Sequence, residues 1–75
     1  MHRPDKTLDI QGIAGRRVRA LAGETLGPMK PGEVLKLITT DKTAIDSIVA
    51  LCREKGYALL EEALEDAHYA FLIQR

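Results

Sequence analysis

The chain begins its regular patterning near Thr7, where apolar Leu8 and Ile10 alternate with polar Asp9 and Gln11 and Gly12 closes the run. Alternation of period two predicts a short strand. Before it, through about Asp5, there is no periodicity and an early Pro4, so residues 1–6 are expected to form a disordered, frayed end. The period then changes. Val18, Leu21, Ala22, Thr25 and Met29 fall on one side of a 3.6-residue helix, with Arg16 opposite and Arg17 and Arg19 flanking. Gly27-Pro28 ends or distorts this helix, because proline cannot supply the hydrogen bond and restricts its predecessor.

Pro31-Gly32 predicts a turn, with proline at the first corner and glycine supplying a positive φ at the second. Residues 34–39 are a nearly continuous apolar run that suits a central strand. Asp41 or Thr43 is placed to cap a second helix, whose Ile45, Ile48, Val49 and Cys52 form an i, i+3, i+4, i+7 stripe and which Gly56 terminates. Residues 57–66 are ambiguous. They hold strong helix formers, with a helical stripe at Leu60, Ala63 and Leu64. The strand-like run Tyr69-Ala-Phe-Leu-Ile73 nevertheless needs a neighbour. Strands over residues 58–63 and 69–74, joined by a turn at residues 65–68, satisfy it. The expected fold is an α+β two-layer sandwich of order βαβαββ, a four-stranded mixed sheet with two helices on one face.

Length and composition narrow the class. Seventy-five residues, 45% of them apolar, predict one domain over residues 1–75 with a core near the lower limit for folding without staples. One cysteine, Cys52, excludes an internal disulfide. Neither a secretory-signal pattern nor a run of about 18 apolar residues is present, so a cytoplasmic location without membrane contact is expected. Eleven basic and eleven acidic residues cancel, which removes any global pull toward nucleic acid. The halves differ: residues 1–36 carry seven Lys/Arg against four Asp/Glu, and the rest four against seven.

The segment Leu8-Asp9-Ile10-Gln11-Gly12-Ile13-Ala14-Gly15-Arg16-Arg17-Val18 resembles the active-site strand and turn of the TusA (SirA-like) sulfurtransferase family. There, an Asp-x-x-Gly strand end is followed three residues on by Cys-Pro-x-Pro opening a helix. Pro31-Gly32-Glu33 stands at the family's spacing from Gly15, without a gap. Thr40-Asp41, Asp46-x-Ile48, Cys52-x-x-x-Gly56 and the closing strand follow in register. The resemblance implies a persulfide relay: a cysteine at the helix start takes sulfur from a cysteine desulfurase or rhodanese and passes it on. A helix N-terminus favours that thiolate through its dipole and unpaired N–H groups. Here the four motif positions read Gly15, Arg16, Arg17 and Val18, so the sulfur-bearing atom and both stiffening prolines are missing. A domain without cysteine-dependent transfer, acting as a binding or regulatory module for a sulfur-relay protein, is the expectation.

Two other readings compete. Cys52 would serve as a displaced sulfur acceptor if exposed, but its place on the apolar stripe predicts core packing. Arg16, Arg17 and Arg19 crowd the positive end of the first helix with no acidic residue three or four positions away. They are either a solvated surface with cross-element ion pairs or, with Gly12 and Gly15, a binding site for a small anion, RNA or an acidic protein face. In that site Gly15 would be the N-cap, leaving the first N–H groups open. His2 and His68 are too few for a metal site with Cys52, and no cofactor is expected.

Overall fold

The computed structural model describes residues 3–75; Met1 and His2, with which the expected frayed end begins, lie outside them. Six elements follow one another: β1 (Lys6–Asp9), α1 (Gly15–Leu26), β2 (Val34–Thr39), α2 (Ala44–Lys55), β3 (Ala58–Glu65) and β4 (His68–Gln74). The strands form one mixed sheet of order β1-β2-β4-β3. β1 and β2 run parallel, with Leu8 opposite Leu37, while β4 pairs antiparallel with both β2 and β3. The expected sandwich is therefore the observed one.

Alternation along the strands sorts the sheet into two faces. Leu35 and Leu37 of β2 stand beside Ile73 and Phe71 of β4, and all four are fully buried. Against them pack Val18, Ala22 and Leu26 of α1 and Ala44, Ile48, Leu51 and Cys52 of α2, so both helices lie on this face. The stripe of α1 differs from expectation at one place. Leu26 is fully buried where Thr25 was expected, and Thr25 instead donates its hydroxyl to the Leu21 carbonyl at 2.9 Å.

The punctuation residues act as their chemistry requires. Gly32, at φ +91, follows Pro31 in a turn closed by Glu33 N donating to the Lys30 carbonyl at 3.0 Å. Gly56 ends α2 in the left-handed conformation, and Tyr57 N donates back to the Cys52 carbonyl.

Three boundaries correct the sequence expectation. β1 starts at Lys6, and Asp5 before it is held rather than frayed: its N–H donates to the Val34 carbonyl and its carboxylate accepts Val34 N at 2.7 Å. The helix-prone segment after Tyr57 is a strand, and it runs on to Glu65, because pairing with β4 outweighs local propensity. The hairpin turn shrinks to Asp66 and Ala67, both at positive φ, which matches the twist of a two-residue connection.

The burial pattern sets the cost of truncation. Phe71→Ala is expected to cost about 3–5 kcal/mol in urea unfolding, comparable to the whole stability of a domain this small. Leu64, 67% exposed, changes stability by less than about 0.5 kcal/mol when cut to alanine.

Candidate functional site

Parallel neighbours end on the same side of a sheet, so the loops after β1 and β2 leave side by side. Residues 10–14 lead from β1 to the N-terminus of α1, and residues 40–43 lead from β2 to the N-terminus of α2. Three hydrogen bonds tie the path from β1 into α1 to the end of β2 and the loop after it. Ile10 N donates to the Ile38 carbonyl at 2.8 Å, Gly12 N to Thr40 Oγ1 at 2.9 Å, and Gly15 N to Asp41 Oδ2 at 2.5 Å.

Asp41 is the centre of this arrangement. While Oδ2 takes the first N–H of α1, Oδ1 accepts both Thr43 N at 2.9 Å and the Thr43 hydroxyl at 2.7 Å. Thr43 occupies the N-cap position of α2 without capping through its own side chain. One carboxylate thus serves the positive ends of two helices. The Thr43 hydroxyl, then the Thr43 and Gly15 backbone donors, lower the Asp41 pKa below its ordinary value.

This geometry corrects the expectation for Gly15. Ala14 is the N-cap and Gly15 the first helical residue, buried, with its N–H already bonded. A Cβ added to Gly15 would overlap Thr43 Oγ1, reach 3.0 Å from Asp41 Oδ2 and lie 3.2 Å from the Ala44 amide nitrogen. The place where a side chain would emerge is filled by the neighbouring loop. Gly12, exposed at φ +84, has free space around it, but its N–H is likewise taken.

The arginines separate. Arg19 pairs with Glu54 of α2 in the only ion pair among the described residues, an exposed bridge worth less than about 1 kcal/mol. Arg16 and Arg17 are exposed beside the filled turn, and the first turn of α1 holds no acidic residue. Arg16 also borders an open groove with Lys55. Cys52 is elsewhere. It lies eight residues beyond Ala44, about 12 Å along α2, and is buried, which raises its thiol pKa. His68 is half-buried at the start of β4.

Asp41 and Thr43 were visible in the sequence only as possible caps of their own helix. Their second role depends on β1 lying parallel and adjacent to β2, and no local pattern reports that. Glu54 as the partner of Arg19 was hidden for the same reason.

A small βαβαββ sandwich, with two helix N-termini meeting at the ends of its parallel strands, is the class that fold and site define. A family model for the sulfurtransferase TusA matches residues 18–75, and the chain belongs to this family. The match begins three residues after Gly15. The chain is 30% identical over 69 residues to a Neisseria meningitidis serogroup A protein named "Putative sulfur carrier protein", covering 92% of this chain and 93% of that one. A serogroup B protein of the same description matches equally. A sulfur carrier protein so named from Aquifex aeolicus is 34% identical over 62 residues, 83% of this chain but 32% of that protein.

Two outcomes follow from the filled turn. Gly15→Ala is expected to destabilise by about 1–3 kcal/mol through overpacking, and by less in a Thr43→Ala background where the hydroxyl is gone; chemical unfolding of the four proteins measures the coupling. Because the folded Asp41 pKa is lowered, its stabilisation is complete above the unfolded value of about 3.9 and is lost as pH falls through the folded value. The stability gap between wild type and Asp41→Asn is therefore largest near neutral pH and closes in acid, as read from urea midpoints across that range.

Proposed function

We propose that this TusA-family domain performs no cysteine-dependent sulfur transfer and acts as a binding or regulatory module. Its partner is a cysteine desulfurase, a rhodanese or another sulfur-relay protein, engaged through the edge spanning residues 12–19. One observation supports the reading: a Cβ at Gly15, the residue that the resemblance equates with the family's cysteine, would meet Thr43 and Asp41, and the Asp41 carboxylate holds the helix N–H that would steady a thiolate. The anion favoured at this helix end comes from the chain itself. The substitution is thus matched by its surroundings, because a side chain at residue 15 meets a filled space.

Burial of Cys52 and its raised pKa weigh against the alternative carrier, since transfer needs an accessible thiolate. A single unpaired cysteine fits a cytoplasmic setting, where thiols stay reduced. The anion or RNA reading loses Arg19 to Glu54 and the Gly12 and Gly15 amides to Thr40 and Asp41. Arg16 and Arg17 remain, exposed and outside any ion pair among the described residues, and they suit an acidic protein surface.

Incubation with a cysteine desulfurase, cysteine and labelled sulfur is expected to leave no persulfide on the protein. Labelling abolished by Cys52→Ser would overturn the proposal. In the same mixture, the protein is expected to bind the desulfurase or a rhodanese, with Arg16→Glu and Arg17→Glu together weakening that binding at least about tenfold.

A further inference from the structure

The helices cover one face of the sheet and leave the other bare. On the bare face the strand register sets residues in rows across β2, β4 and β3. Lys36, Leu72 and Glu61 form one row, and Ile38, Ala70 and Ala63 the next. Toward the start of β2 lies the row Val34, Gln74 and Ala58, in which Val34 is buried. A hollow of about 430 Å³ opens over the first two rows, lined by Lys36, Leu72, Glu61, Ala70 and Ala63 together with Glu65 and Pro4. Neither Lys36 nor Glu61 makes an ion pair among the described residues.

Each row has the same property. Consider a two-fold axis lying along β4 in the plane of contact between two copies. It places β2 of one copy over β3 of the other and keeps every row at its own height. Lys36 then faces Glu61 of the second copy on both sides of the axis, with Leu72 against Leu72 between them. One row along, Ile38 meets the small Ala63, and in the third row the two Gln74 amides meet each other. Off the axis the large Ile38 opposes the small Ala63 and the charges oppose with opposite sign, while on it Leu72 and Gln74 each meet their own copy. Packed sheets stand about 10 Å apart, a gap that a lysine and a glutamate reaching from opposite sides can span. The twist between aligned sheets, about 30°, displaces rows near the axis least.

We propose that this face binds a second copy of the chain, forming a two-fold dimer in which the Lys36–Leu72–Glu61 row is the centre. The self-complementary row is what selects a second copy over another partner, because an isologous contact must match itself. Three strands by three rows cover on the order of 300 Å² per copy, below the about 1,200 Å² in total of a standard interface, so the dimer is weak and depends on concentration. Both copies keep residues 12–19 on the outer, helical side of the assembly.

Sedimentation equilibrium over a concentration series tests the arrangement with charge exchange. The mass is expected to rise from 8.3 kDa toward twice that value as concentration increases. Lys36→Glu alone and Glu61→Lys alone each set like charges against one another and are expected to weaken association at least about tenfold. The double exchange, Lys36→Glu with Glu61→Lys, restores opposite charge and is expected to recover the wild-type affinity. Both residues lie on the uncovered face, and unchanged circular dichroism and unfolding midpoints confirm that the variants fold. Amide shifts on dilution are expected to concentrate on β2, β4 and β3 and to spare α1. A monomer at every concentration, single exchanges without effect, or a double exchange no better than the singles would each overturn the proposal.

Discussion

A single carboxylate, that of Asp41, accepts hydrogen bonds from the starts of both helices, and the geometry of the edge where they meet depends on it. Two helices that begin side by side bring two positive dipole ends together, and α1 adds Arg16 and Arg17 in its first turn with no acidic residue of its own there. Asp41 supplies the missing negative charge from the adjoining loop. Its Oδ2 takes Gly15 N and its Oδ1 takes the amide and hydroxyl of Thr43, which lowers the carboxyl pKa and keeps it ionised.

The fold makes that meeting possible. β1 and β2 must be parallel and adjacent for their loops to leave together, and β4 must enter beside β2 to complete the layer that buries Phe71 and Ile73. Glycine at residue 15 is then a packing requirement, because the Asp41 carboxylate and Thr43 hydroxyl stand where a Cβ would go. The chain belongs to the TusA family and keeps a βαβαββ frame, in which the space beside Gly15 is filled by the neighbouring loop. What remains exposed at this edge is the pair Arg16 and Arg17.

Much of this was legible in the sequence, and the exceptions share a cause. The α2 stripe, its Gly56 terminator, the Pro31-Gly32 turn and β2 follow from local pattern and appear where the pattern puts them. The strand after Tyr57 was readable only through its need to pair with β4, since its own residues favour a helix. Gly15 was visible as a substitution, but its reason lay 26 positions away, in a carboxylate that local rules assign to its own helix. Arg19 and Glu54, 35 positions apart, are the same kind of case. Contacts between elements carry no local signature, and this site is built almost wholly from them.

The most direct measurement is the amide proton of Gly15 followed by NMR through an acid titration. Its resonance is expected to be displaced downfield by its charge-assisted bond, protected from exchange, and to move in one step as the Asp41 carboxyl protonates below its ordinary range. Gly15 in Asp41→Asn would show no such step. An amide that exchanges freely, with an Asp41 carboxyl titrating at the ordinary value of about 3.9, would contradict it.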